Sequence, residues 1–148
     1  MPGKIALYLE DERAGPNFGT STGDTVGLRI SDPAAGKSFV YIPGCSEIDG
    51  NVSKRLRGAS HVFFDGTLYD DEEMIRASLM NKGGPRMGHI SMNGAGGSIA
   101  KLKDLGVNRK IYVHINNSNP VLDEYSPERR AVEAAGWEVG FDGMEVRI

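Results

Sequence analysis

Apolar residues come in short blocks along this chain, and the spacing within each block names an element. Residues 4–10 (KIALYLE) read as a strand beginning almost at the first residue, and a polar, glycine-containing stretch follows over 11–23. Residues 24–30 (DTVGLRI) alternate and predict a second strand. Residues 38–42 (SFVYI) predict a third, with a turn at Asp32-Pro33-Ala34-Ala35-Gly36 before it and Pro43-Gly44 closing it. The first third is therefore expected to be a run of antiparallel strands, followed by a short helix over 51–56.

The middle of the chain changes character. An apolar strand at 61–64 runs directly into Asp65-Gly66-Thr67. Asp70 or Asp71 is placed to cap a helix over 72–80, whose acidic first turn suits the helix dipole. Residues 81–97 are rich in glycine and show little periodicity. Ile99, Leu102 and Leu105 share one face of a helix over 98–105 that Gly106 stops. Residues 110–115 (KIYVHI) predict a strand ended by Asn116-Asn117-Ser118-Asn119-Pro120. Ser126-Pro127-Glu128 opens a helix with a cap, a proline at the first helical position and an acid, and Gly136 stops it. Residues 137–141 and 144–148 flank Asp142-Gly143, a pair that favours a hairpin turn. This order describes one mixed α/β domain over 1–148, with parallel and antiparallel pairing and no internal boundary.

Composition narrows the classes. A chain of 148 residues buries a core of its own, and 39% hydrophobic with 25% charged residues argues against wholesale disorder. Glycine is abundant, 20 of 148 residues, nearly twice the usual ~7%, which means many tight turns and backbone-lined loops. A net charge of −3 speaks against a general nucleic-acid binder. Cys45 is the single cysteine, so no internal disulfide and no thiolate zinc site can form within one chain. A reducing, cytoplasmic setting is the expectation. The longest apolar runs, such as 5–9, fall far short of the ~20 residues of a membrane-spanning helix, and the first residues lack a secretory pattern.

Three groups stand out as candidate chemistry. Asp65 ends an apolar strand before Gly66-Thr67, where a carboxylate either binds metal or serves as a turn residue. His114 lies near the end of the strand at 110–115, with Tyr112 on its face by alternation; it is a metal ligand, a general base or a half-buried structural histidine. If the two strands are parallel neighbours, Asp65 and His114 emerge at the same carboxyl edge, where ligands of open α/β sheets bind. His89, in the glycine-rich loop, can converge on them. The loop 93–98 (NGAGGS) can present backbone N–H groups to an anion or be a plain connection. Asn116, Asn117 and Asn119 follow at the same edge, as substrate contacts or as turn formers. His61 and Trp137 read as structural. Asp65, His114 and His89 supply at most three ligands, and no His-x-His-x-Asp-His cluster is present, so the chain alone makes a poor metalloenzyme.

The segments FFDGTLYDDEEM (63–74), PRMGHISMNGAGGSI (85–99), RKIYVHINNSNPVL (109–122) and SPERRAVEAAGWEVGFDGMEV (126–146) closely resemble the coenzyme PQQ synthesis protein B family. PGKIALYLE (2–10) and the region 23–45 fit it as well, so the resemblance covers essentially the whole chain. It implies a metallo-β-lactamase fold, two mixed sheets packed face to face with helices outside. Members of that family are about twice as long and carry their histidine cluster in the N-terminal half. This chain is similar to the C-terminal half, which implies a truncated or split gene or an internal start. The resemblance implies that Asp65 and His114 are metal ligands, for iron or zinc, and that His89 donates protons or touches substrate. Arg86 of the RMGH motif joins Asn116, Asn117 and Asn119 as candidate substrate contacts. The implied function lies in pyrroloquinoline quinone biosynthesis, as part of a metal-dependent hydroxylase acting on the tyrosine ring of a peptide-derived Glu–Tyr precursor. The alternatives are a non-catalytic carrier of the cofactor or its precursor toward the periplasm, and another hydrolase of the same fold. Half of a two-sheet sandwich leaves a sheet face bare, so poor solubility alone, self-association or pairing with a separate N-terminal half is expected.

Overall fold

In the computed structural model, which describes residues 1–3 and 25–148, the alternating blocks become a single five-stranded sheet. Its strands are β1 (Leu28–Asp32), β2 (Lys37–Ile42), β3 (His61–Asp65), β4 (Arg109–Val113) and β5 (Glu138–Val139), hydrogen-bonded in that order. The strand expected at 4–10, the polar stretch at 11–23 and Asp24 lie outside the described residues. The strand expected at 24–30 begins later, at Leu28, and runs on to Asp32. Asp32 Oδ1 accepts from the N–H groups of Ala34 (2.9 Å) and Ala35 (3.2 Å), which tightens the turn to β2. β1 and β2 pair antiparallel, and every later pair is parallel.

Among the described residues five helices connect the strands: α1 (Gly50–Leu56), α2 (Glu73–Arg76), α3 (Gly84–Met87), α4 (Ser98–Leu102) and α5 (Pro127–Ala134). Asp49 caps α1 through its side chain, and Ser126 caps α5 in the same way with Pro127 at the first turn. Val52 and Leu56 of α1, Leu102 of α4 and Val132 of α5 pack with Val40, Ile42, Val62, Phe64 and Tyr112 of the sheet in one core. Trp137 closes it, stacked on the Tyr112 ring at 4.0 Å between centroids. The opposite face is less covered. Leu28, Ile30 and Tyr41 are exposed there, and Phe39 and Phe63 are half-buried.

Three expectations change. The helix expected over 72–80 is a four-residue turn, because Leu79 and Met80 both fold their N–H groups back to Met74 O and Ser78 takes φ +55°. Of the two expected caps, Asp70 accepts from Glu72 N–H at 3.0 Å, and Glu73 also closes the start, accepting from the N–H groups of Tyr69 (2.7 Å) and Asp70 (3.2 Å). The loop 81–97 contains the one-turn α3, signalled only by Pro85 in its first turn. The terminal hairpin does not form. β5 is two residues long and parallel to β4, and 144–148 pair with none of the described strands. A turn does sit at Asp142-Gly143, with Met144 N–H on Phe141 O, but it leads the tail away until Ile148 O meets Lys37 Nζ at 2.5 Å.

Candidate metal centre

β3 and β4 run parallel with Asp65 beside Val113, so both deliver their last residues to one edge of the sheet. That is the expected convergence of parallel strand ends. Asp65 is fully buried. Gly66 lets the backbone lie flush on β4: its N–H meets Val113 O at 2.8 Å, and a Cβ would stand 2.9 Å from Tyr112 Cβ. β4 stops at Val113, short of the expected 115, and His114 takes a left-handed φ of +55°. A non-glycine residue accepts that conformation at a cost of roughly 1–2 kcal/mol. The bend breaks the alternation: Tyr112 goes into the core, while His114 turns to the edge with its side chain half exposed. His89 arrives from the other side, just past Gly88, whose φ of +87° ends α3. Its loop is tied down by Ile90 N–H to Cys45 O at 2.6 Å.

The three candidates meet. Asp65 Oδ2 lies 2.8 Å from His89 Nδ1 and accepts from Cys45 N–H at 2.9 Å. Asp65 Oδ1 accepts from the N–H (3.1 Å) and the hydroxyl (2.7 Å) of Thr67, and stands 4.0 Å from His114 Nδ1. The two imidazoles stack, 5.2 Å between centroids and 23° between planes. One ligand atom each from Asp65, His89 and His114 falls within a span of 4.8 Å. A carboxylate and two imidazoles are donors that both zinc and iron accept, so the donor chemistry fits a metal. In this arrangement the donors on Asp65 occupy the four lone-pair positions of a carboxylate. A metal reaching Asp65 would displace one of its two side-chain partners, His89 Nδ1 or Thr67 Oγ1.

The other sequence candidates divide. Arg86 and Asn116 line a cleft of about 430 Å³ beside His89, together with Met74, Met80, Met87 and Lys82. Asn117 faces a different groove, with His114, Phe63, Val113 and Phe141. Asn119 departs from the expected substrate role: it is buried, donates to Gly66 O (3.0 Å) and Thr67 O (3.3 Å), and caps the short turn Pro120–Leu122 through its own carbonyl. It braces the loop that carries Thr67. In the loop 93–98 the N–H groups of Asn93, Gly97 and Ser98 are already bonded to the carbonyls of Tyr69, Gly94 and Ser91. His61 sits at the far end of β3, against Ser60 Oγ at 2.6 Å. Cys45 contributes backbone and not thiol: burial pushes its thiol up to about 12, and Sγ donates to Glu47 O at 3.1 Å. Sequence reasoning missed Thr67 and Cys45 N–H. The hydroxyl two residues after a strand-end aspartate was the available signal for the first; nothing local signals the second.

Comparison with known proteins places this geometry. A family model described as "Beta-lactamase superfamily domain" matches residues 7–115. Two relatives called "Coenzyme PQQ synthesis protein B" are similar along the chain. The one from Bradyrhizobium diazoefficiens is 49% identical over 146 residues, covering 99% of this chain and 47% of that protein. The one from Methylorubrum extorquens strain PA1 is 50% identical over 148 residues, covering 100% of this chain and 48% of that protein. The chain thus spans about half the length of the curated relatives it matches. The crystal structure of Zn(2+)-bound PqqB from Methylobacterium extorquens superposes with a TM-score of 0.80 at 49% identity, over 84% of this chain and 44% of that one. A diphosphatase from the PhnP family shares the fold alone, with a TM-score of 0.50 at 18% identity over 76% of this chain and 36% of that one.

Proposed function

Because this chain belongs to the beta-lactamase superfamily, we propose that it is the C-terminal half of a metal-dependent enzyme of pyrroloquinoline quinone biosynthesis. The observation that carries the reading is the meeting of Asp65, His89 and His114 at one sheet edge, from the end of β3, the loop after α3 and the bend after β4. Asp65 and His114 hold the metal, and His89 stands ready to ligate, to hand over a proton or to touch substrate. A bound zinc or iron supplies Lewis-acid chemistry, and iron adds redox chemistry with oxygen. The substrate is a tyrosine-containing precursor derived from a Glu–Tyr peptide, and the reaction is hydroxylation of its ring. Arg86 and Asn116, on the cleft beside His89, orient that substrate, and Asn117 touches it from the neighbouring groove. The three methionines of the cleft give a soft apolar wall that suits an aromatic body.

Among the described residues the centre has three ligand groups, and further ligands would complete it. The exposed apolar residues Leu28, Ile30 and Tyr41 support contact between this sheet face and further protein, such as an N-terminal half of the same fold. Co-expression with such a half tests the reading through metal content. Stoichiometric iron or zinc only when both halves are present, and lost in Asp65→Ala or His114→Ala, is the expected result. Absence of metal in both preparations, with tight cofactor binding that ignores a chelator, would move the assignment to a carrier.

A further inference from the structure

The Thr67 hydroxyl is the point where the whole group touches. Within 3.1 Å of its oxygen lie Asp65 Oδ1 (2.7 Å), His114 Nδ1 (2.8 Å), His89 Nδ1 (3.0 Å) and His114 O (3.1 Å). A hydroxyl has one proton to give and two lone pairs to offer. The carboxylate is the nearest and strongest acceptor. If the proton went elsewhere, Thr67 Oγ1 and Asp65 Oδ1 would face each other as bare acceptors at 2.7 Å. The proton therefore points at Asp65, and Oγ1 is left as an acceptor toward both rings. Both Nδ1 atoms must then carry hydrogen, and both Nε2 atoms carry the free lone pair. For His89 the carboxylate enforces the same choice, since Nδ1 is also 2.8 Å from Asp65 Oδ2. For His114 the carboxylate is too far, at 4.0 Å, and Thr67 is its near side-chain partner.

We propose that Thr67 is a positioning residue that fixes His114 as the tautomer with Nδ1–H, so that Nε2 is the atom offered to the metal. The inference rests on the metal reading above only for what Nε2 meets; the hydrogen-bond geometry stands without it. Holding the far nitrogen of a ligating imidazole is a general way to set ring direction and basicity. Thr67 can do so because its own backbone is fixed: its N–H is on Asp65, its carbonyl accepts from Asn116 N–H (3.3 Å) and Asn119 (3.3 Å), and its side chain is almost wholly buried.

The test is long-range proton–nitrogen NMR of the histidine rings in the metal-free 148-residue chain, with both rings neutral, paired with zinc titration. Wild type should show His114 with its hydrogen on Nδ1. Thr67→Val, nearly the same shape without the hydroxyl, should mix the tautomers and weaken zinc binding about 10- to 100-fold. Thr67→Ser, which keeps the hydroxyl, should restore both readouts, and Thr67→Ala takes the place of the valine variant if that chain does not fold. A wild-type His114 with its hydrogen on Nε2, or a valine variant with unchanged ring signals, overturns the proposal. A tautomer that shifts as expected in a chain that binds no zinc upholds the role of Thr67 and counts against the metal reading instead.

Discussion

The two faces of the sheet carry similar apolar residues and meet different fates. On one, Val40, Val62, Phe64 and Tyr112 lie sealed under α1, α4 and α5. On the other, Leu28, Ile30 and Tyr41 reach solvent, and the tail beyond β5 covers Ile111 without sealing the rest. Alternation along a strand tells which residues share a face, but not whether a face has a cover. The difference teaches that the chain's stability is anchored on one side. The open side leaves apolar side chains in contact with solvent.

The strongest way to break this comparison is to truncate one residue from each face. Phe64→Ala should cost about 3–5 kcal/mol in urea unfolding, the range for emptying a packed aromatic site. Tyr41→Ala should cost well under that. Equal losses would mean the open face is as well packed as the covered one. Next in size is Asp65→Ala, which strips the acceptor from Cys45 N–H and Thr67 N–H. Leaving buried donors unpaired should cost about 2–3 kcal/mol by the same measurement. The covered face can be sharpened with its thiol. Cys45 should resist a thiol reagent in the folded chain near neutral pH and react as soon as urea unfolds it.

Smaller effects test the open side. Ile30→Ser should change unfolding free energy by no more than about 0.5 kcal/mol, while shifting size-exclusion elution toward the monomer. The smallest effect is the Arg109–Glu138 pair at the β4–β5 edge. Arg109, hydrogen-bonded at 2.6 and 2.8 Å, holds the Glu138 carboxyl below its usual 4.5. A lowered pKa adds stability above the unfolded value, and that contribution fades as pH falls through the folded one. Melting temperature should therefore dip slightly more in wild type than in Glu138→Gln below pH 4.5. The pair is partly exposed, so the difference is modest and salt-sensitive.

Much of this was legible before the coordinates. Capping residues and proline place α5, and short apolar blocks bounded by turn residues place β2 and β3 nearly to the residue. The parallel pairing of β3 with β4 enters the sequence reading as a condition; the structure meets it, and Asp65 and His114 come to one edge. The failures share a cause. The hairpin at Asp142-Gly143 was read from a local turn signal, but β5 is held by its parallel neighbour β4, a long-range partner that turn chemistry cannot reveal. Asn119 looked like a substrate contact because it lies in a polar loop; only the fold shows two carbonyls waiting for its amide. His114 was placed by strand alternation, and a single left-handed residue overrode the period.

That left-handed residue puts folding and chemistry in opposition at one position. A glycine in place of His114 would adopt φ +55° freely and relieve the roughly 1–2 kcal/mol of backbone strain, less the entropy that glycine loses on folding. The same change would remove an imidazole from the centre. Selection or screening for thermal resistance alone would thus push this position toward glycine, and a histidine there is kept only where its ring is in use.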